Sequence, residues 1–354
     1  MKAALVYGID DIRYEETEDI AVKNSNDVKV KVKACGICQS DVPRVLAGTA
    51  RYFPIILGHE FSGIVEEVGE AVTNVKVGDH VAGIPLVPCL ECEDCKKGDY
   101  ALCKHYSFIG SRQSGAYAES VVVPATNVIP LDKNISFEAG ALTETSTVAL
   151  HAFKLVKFDK AKAKNVAILG FGTIGAFAVQ WARILGAENI VVFGRNEERL
   201  QFSKELGATH TINTTHPEFI KEAMELTGGK GFDYLFETAG TPDTIKYCFK
   251  LAANKADVCM IGTPQKDVTF SWQEWELMNR KEFNLTGSWM SYSAPFPGAE
   301  WTETVEAMKN GSLIYDSRLL YKKYDLSEAK EAFACFKNEK VSGRILFTNE
   351  DVEK

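Results

Sequence analysis

NVAILGFGTIG, residues 165–175, is a short continuous apolar run followed by the glycine pattern Gly170-Phe171-Gly172-Thr173-Ile174-Gly175. A run of that kind reads as a parallel strand buried on both faces. The three glycines differ in what they permit. The first allows a tight turn, the second lets a pyrophosphate approach the backbone, and the third packs helix on strand. The next residues, TIGAFAVQWARILGA, open a helix whose N-terminus offers free N–H groups and a positive dipole end to a phosphate. Alone, the glycine pattern is a weak signal, and its place between strand and helix gives it weight. The expectation is a dinucleotide site built on Gly170, Gly172, Thr173, Ile174 and Gly175.

Downstream the alternation continues. NIVVFG, HTIN, FDYLFETAG and ADVCMIG read as strands, with NEERLQFSKELGA, PEFIKEAMELTGG and PDTIKYCFKLAA as helices between them. NLTGSWM reads as a sixth strand. Strand–helix alternation of this kind predicts an α/β fold, a Rossmann doubly wound parallel sheet, over residues 151–290. Upstream the texture differs. DVKVKVKACG, SGIVEEVGEAV, GDHVAGIPLV and AYAESVVVPATNVI alternate apolar and polar residues between glycine turns. Residues 1–150 therefore predict a mostly-β, rolled sheet. Residues 291–354 return to mixed structure and end in SGRILFTNE, a strand expected to rejoin that first domain.

The 354 residues exceed one ordinary core, so two domains are expected. A net charge of −8 argues against a nucleic-acid binder, which needs a basic face. No stretch reaches the length of a membrane span. The start, MKAALVYGIDD, does not read as a signal peptide, and nine cysteines without an export signal favour a reducing cytoplasm. Cys35, Cys248, Cys259 and Cys335 lie apart and read as small core residues.

The other four cysteines, besides Cys38, stand together. Cys89, Cys92, Cys95 and Cys103 follow the spacing C-x2-C-x2-C-x7-C. Four thiolates close a tetrahedral shell around one zinc ion with no open position, the mark of a structural site. A second, open site has candidates in Cys38 of ACGICQSD, His59-Glu60 of ILGHEFSG and Glu144 of ALTETSTVALHAF. A thiolate, an imidazole and a carboxylate can hold zinc and leave a position for water or substrate. Sequence spacing does not by itself bring these residues together. His80, His105, His151, His210 and His216 read as structural.

GHEFSGIVEEVG, the four-cysteine lobe and GFGTIG occur in one order, and together they resemble the zinc-dependent medium-chain dehydrogenases, the alcohol and polyol dehydrogenase family. The resemblance spans essentially the whole chain. YFPIILGHEFSG, IPLVPC, YSFIGSR and GSWMSYSAPFPG look most like its members that act on polyol phosphates. The resemblance implies a GroES-like catalytic domain interrupted by the nucleotide domain, two zinc ions per chain, and a homodimer or homotetramer. It places Cys38, His59 and Glu144 at the catalytic zinc, which could accept Mn2+ or Co2+ instead. It makes Glu60 a carboxylate able to join or leave that metal, and Ser40 the hydroxyl that passes the substrate proton onward. Zinc in this family serves as a Lewis acid toward the substrate hydroxyl.

The expected substrate is a polyol phosphate, with Arg44, Arg51 beside Tyr52, and Arg112 as candidate anchors, since the Arg fork suits phosphate. Pentitol phosphates of arabitol, xylitol or ribitol, and an unphosphorylated polyol or secondary alcohol, stay open. A zinc-free quinone reductase should lack the Cys38/His59 pair and the cysteine lobe. A redox-silent binding protein on the same fold remains the reading from another class. For the cofactor, the second strand ends in Gly194-Arg195-Asn196, where an acid would hold the ribose 2′-OH of NAD. NAD-using members of the family carry Asp at the position of Gly194. No acid stands there and Arg195 can pair with a 2′-phosphate, so NADP(H) is favoured over NAD(H).

Overall fold

In Asp27–Ile37, valines alternate with lysines, and the strand buries Val28, Val30 and Val32 while the lysines keep the outer face. This strand organises the first of two units in a computed structural model that describes residues 1–349. Glu60–Val68, Ser120–Pro124 and Arg344–Thr348 all pair with it, each antiparallel. The seven-stranded sheet runs Val128–Pro130, His80–Gly83, Glu60–Val68, Asp27–Ile37, Arg344–Thr348, Leu320–Asp325, with Ser120–Pro124 off that path. A three-stranded sheet of Asp11–Glu16, Lys2–Gly8 and Ile55–Ile56 stands apart from it. Phe61, Tyr117, Phe333 and Phe347 fill the core among the valines. The strand expected in SGRILFTNE does rejoin this unit, with Ile345 opposite Ile37 and Thr348 opposite Ala34; its last residue, Glu350, lies outside the described residues.

The second unit holds one six-stranded parallel sheet. Its order is His210–Asn213, Asn189–Gly194, Asn165–Leu169, Phe232–Glu237, Ala252–Met260, Asn284–Gly287. NVAIL is the central strand, buried from Val166 to Leu169 as its unbroken apolar run requires. The chain builds outward from it in one direction and then, from Phe232, in the other. That reversal is the switch point at which such sheets bind ligands, beyond the carboxyl ends of the strands. Local signals fix the helices around the sheet. Asn196, Thr241 and Ser271 cap Glu197–Leu206, Pro242–Leu251 and Trp272–Lys281 with side-chain oxygens.

The units are Met1–Glu144, Tyr292–Asn310 and the segment from Tyr315 on the one hand, and Thr145–Ser291 with Gly311–Ile314 on the other. The division thus falls inside the helix Thr143–Leu155, earlier than the boundary expected at residue 150. Its residues after Glu144 bond into the second unit. Ser146 Oγ takes the Trp181 indole N–H at 3.0 Å, and Thr147 Oγ donates to Ser291 Oγ at 2.8 Å. The excursion Gly311–Ile314 joins the same unit through Gln180, whose side-chain amide exchanges bonds of 2.7 and 3.2 Å with the Ile314 backbone.

Candidate functional site

Pairing of neighbouring strands brings the first cluster together. Gly36 lies opposite Glu60 in the register of Asp27–Ile37 and Glu60–Val68, so Cys38, His59 and Glu60 meet at one end of the pair. Their ligand atoms all lie within 4.8 Å of one another. His59 and Glu60 are buried. Two glycines make room. A Cβ on Gly36 would stand 2.4 Å from Glu60 Oε2, and Gly58, at φ +94°, has no space for one against the Tyr117 ring.

Around the cluster lies a second layer of charge. Asp41 is fully buried. It accepts Arg44 Nη1–H at 2.7 Å on one oxygen and the Tyr117 hydroxyl at 2.9 Å on the other, which also faces His59 Nδ1 at 3.6 Å. Arg344 donates to the Ile37 carbonyl at 3.0 Å, and its Nε stands 3.0 Å from Glu60 Oε2. That ion pair is not aligned as a hydrogen bond, and both Glu60 oxygens and His59 Nδ1 are buried without a hydrogen-bond partner. Ser40 Oγ donates to Cys38 Sγ at 3.3 Å and accepts from Arg44 at 3.2 Å. Burial, and then the Glu60 charge, push the Cys38 thiol well above its usual range. Burial, then Glu60, raise Glu144 to about 7 against the pull of His59 and Arg344. Acids and a thiol thus crowd a buried space with orphaned acceptor atoms, and a divalent cation is what such a donor set fits. Glu144 is electrostatically part of this site but stands outside the tight group that Cys38, His59 and Glu60 form.

The four lobe sulfurs also lie within 4.8 Å of one another. Cys103 Sγ is 3.5 Å and Cys95 Sγ 3.9 Å from Cys89 Sγ. A zinc tetrahedron with bonds of about 2.3 Å has sulfur–sulfur edges of about 3.8 Å, so the thiols already stand at its corners. The short helix Glu93–Lys97 and its Gly98 cap, at φ 88°, turn the chain back to bring Cys103 in. The N–H groups of Cys92 and Cys89 donate to the sulfurs of Cys89 and Cys103, both at 3.4 Å. The Cys95 N–H, followed by its neighbouring thiols, pulls Cys92 down to about 6.

In the second unit the glycines behave as their order suggests. Gly170 has φ +102°, and a Cβ there would meet the Ala239 methyl at 2.8 Å. A Cβ on Gly172 would meet nothing within 4 Å, which leaves the loop open on that side. One on Gly175 would lie 2.3 Å from the Gly170 carbonyl oxygen. Thr173 and Ile174 begin the helix Thr173–Ile184, whose cap residue Gly172 supplies no side chain. Gly194 ends its strand half-buried, its carbonyl taking the Thr214 N–H at 2.8 Å. The Arg195 side chain is exposed and makes no ion pair among the described residues.

The description "Alcohol dehydrogenase GroES-like domain" matches residues 24–133, and "Zinc-binding dehydrogenase" matches residues 173–310. Galactitol 1-phosphate 5-dehydrogenase of Escherichia coli K12 is 39% identical over 290 residues, 82% of this chain and 83% of that protein. The chain belongs to the zinc-binding medium-chain dehydrogenases. It is an oxidoreductase of the alcohol and polyol dehydrogenase class. Sorbitol dehydrogenase of Bacillus subtilis is 33% identical over 272 residues, 75% of this chain and 76% of that protein. The crystal structure of galactitol-1-phosphate dehydrogenase from Escherichia coli superposes with a TM-score of 0.93 at 34% identity, covering 99% of this chain and 100% of that one. A zinc-binding dehydrogenase structure from Sinorhizobium meliloti, bound to NADP, gives 0.87 at 27%, covering 98% and 99%.

Three residues packed around the Cys38, His59 and Glu60 donors were not marked by the motifs: Asp41, Tyr117 and Arg344. Asp41 lies three residues after Cys38, directly behind the polar pair Gln39-Ser40, and nothing in that segment singled it out. Arg344 lies in the strand expected to rejoin the first unit, and only that pairing sends it to Glu60. Nothing in the sequence marked Tyr117. Of the candidate substrate anchors, Arg44 is committed to Asp41, and Arg112 stacks 3.8 Å over the Tyr106 ring while donating to its carbonyl at 3.1 Å. Arg51 and Tyr52 are exposed, and no bond holds the Arg51 side chain among the described residues.

Proposed function

We propose that this dehydrogenase transfers hydride between a polyol phosphate and NADP(H), NADP(H) being preferred to NAD(H). The observation that carries the reading is the convergence of Cys38, His59 and Glu60 donors in a chain 39% identical to a galactitol 1-phosphate 5-dehydrogenase. Cys38 and His59, with Glu144 or Glu60 as carboxylate, would hold the catalytic zinc, and Cys89, Cys92, Cys95 and Cys103 the structural one. When bound at the first site, zinc supplies Lewis acidity that favours the ionised form of the substrate hydroxyl.

The protein's own groups do the rest. Asp41 faces His59, fixed in turn by Arg44 and Tyr117, and so orients the imidazole. Ser40, tethered by Arg44, would receive the substrate proton at Oγ and pass it outward. Arg344, with its Nε 3.0 Å from Glu60 Oε2, would balance the charge of that carboxylate. The glycine loop and the helix N-terminus at Thr173 would receive the pyrophosphate. Gly194 offers no carboxylate to repel a 2′-phosphate, and the unpaired Arg195 can meet it. Similar structures are bound to NADP in one case and to NADH in another, so the preference rests on Gly194 and Arg195. The protein is read as a cytoplasmic homodimer or homotetramer; among the described residues no helix is long and apolar enough to cross a membrane.

One observation favours a second reading, an unphosphorylated polyol. Arg44 and Arg112 are already engaged, which leaves Arg51 as the free anchor. The experiment compares kcat/KM on hexitol and pentitol phosphates with that on the free polyols, using both cofactors. A charge-assisted bond to phosphate should favour the phosphates by about ten- to a hundredfold. Equal activity on phosphates and free polyols would establish the second reading.

A further inference from the structure

One buried acid stands apart from both metal clusters. Glu237 ends the strand Phe232–Glu237 and is fully buried. Among the described residues no cation faces it. Its carboxylate accepts the Ala239 N–H at 3.0 Å, the Gly240 N–H at 2.9 and 3.1 Å, and the Thr244 hydroxyl at 2.7 Å. Burial pushes its pKa up, and the Thr244 hydroxyl and the two amides pull it back. A lone buried carboxyl is costly, so its donors matter. What they hold is the turn Thr238–Thr241, with Gly240 at φ +61°.

That turn bears on the glycine loop. The Thr238 hydroxyl lies 3.2 Å from the Leu169 carbonyl and 3.1 Å from that of Gly170, and its N–H donates to Leu169 at 3.0 Å. Ala239 is the residue that leaves Gly170 no room for a Cβ, and Thr238 Oγ1 would stand 3.1 Å from a Cβ on Gly175. A third strand end joins in. The Ile261 and Gly262 N–H groups donate to the Glu237 carbonyl at 2.9 and 3.0 Å, and a Cβ on Gly262 would stand 2.7 Å from Glu237 Oε2. Glu237 therefore ties together the carboxyl ends of Asn165–Leu169, Phe232–Glu237 and Ala252–Met260, the rim where an open parallel sheet binds its ligand.

We propose that Glu237 is a positioning residue for the dinucleotide: its carboxylate fixes the Thr238–Thr241 turn, and the turn holds Gly170–Gly175 in the shape that receives the pyrophosphate. The proposal rests on the dinucleotide reading of that loop. Glu237 acts through the backbone and touches no reacting atom.

The test measures direct binding of NADPH and NADH by calorimetry, without substrate, in wild type, Glu237→Gln, Thr238→Val and the double variant. Gln keeps the size but turns one acceptor oxygen into a donor facing other donors. Glu237→Gln should raise the dinucleotide Kd about tenfold, roughly the loss of one hydrogen bond to a charged group. The KM for the alcohol substrate and the zinc content should not move, which separates positioning from general damage to the fold. Thr238→Val should weaken binding similarly, and the double variant should lose less than the two effects combined, because both act through one turn. A Glu237→Gln Kd within about twofold of wild type, or fully additive effects, overturns the proposal. If Glu237→Gln does not fold, Thr238→Val decides alone: weakened binding supports the proposal and unchanged binding overturns it. If wild type binds neither nucleotide, the reading of the loop itself is wrong, and the proposal falls with it.

Discussion

Asp41 meets three neighbours at once, Arg44, Tyr117 and His59, and is buried among them. An acid in that position can hold an imidazole in one orientation for a metal, and losing it should cost about 10- to 100-fold in metal affinity or activity. Asp41→Asn keeps the shape but removes the charge. It should lower kcat/KM by that order and loosen the catalytic metal, while circular dichroism shows an unchanged fold; wild-type activity would count against the orienting role. At the other site, Gly194 and Arg195 carry the proposed cofactor preference. Gly194→Asp with Arg195→Ile should move the ratio of kcat/KM from NADP toward NAD. Wild type preferring NAD, or a double variant with the same preference, would show that these two residues do not set the choice. The two positions differ in how openly they appear in the sequence. Gly194 could be counted off from Gly170, because the βαβ unit fixes the distance along the chain. Asp41 could not be paired with Tyr117 in advance, because that contact spans 76 residues of sequence and exists only in the folded chain.

At the scale of elements, the cysteine lobe and the strand Arg344–Thr348 do different kinds of work. The lobe has a five-residue helix and a three-residue turn as its only regular structure, so four thiols gathered on one ion would take the place of a core. Cys95→Ser should lower the zinc content by about one ion per chain and reduce the Tm or the assembly state, since a structural zinc contributes folding free energy. Full stability and activity in that variant would show that the lobe is not a metal staple. The strand Arg344–Thr348 instead delivers one charge. Arg344→Met would leave Glu60 buried without its ion pair, a loss of about 3–5 kcal/mol for a broken buried pair, read as a lowered denaturant midpoint. An unchanged midpoint would mean that Glu60 is neutralised in some other way. The gathering of the four lobe thiols was legible because their spacing is that of a metal-binding cysteine cluster. The role of Arg344 was not, although its strand was: SGRILFTNE shows the pattern of a strand, but its partner is the register of Asp27–Ile37, more than 300 residues earlier.

For the molecule as a whole, the local signals agree with one another, which is why so much of the fold could be read. The βαβ alternation from residue 165 onward predicted the parallel sheet strand by strand, and the sixth strand, Asn284–Gly287, closes it. Only the division between the units shifted, because Ser146 and Thr147 find their partners in the second unit and Gln180 draws Ile314 there. The grouping of the candidate donors was legible in part. Motifs proposed Cys38, His59, Glu60 and Glu144; the first three form the tight donor group, and Glu144 stands outside it. Which carboxylate closes the group is a matter of side-chain position that no spacing encodes. The central claim is that an open zinc site at Cys38 carries the chemistry while the lobe zinc carries structure. Metal analysis and NADP-linked turnover on polyol phosphates, measured together in wild type and Cys38→Ser, test it most directly. Wild type should hold two zinc ions per chain and turn over, and Cys38→Ser should stay folded with one zinc and no turnover. An active Cys38→Ser, or full wild-type activity with a single zinc per chain, would contradict the claim.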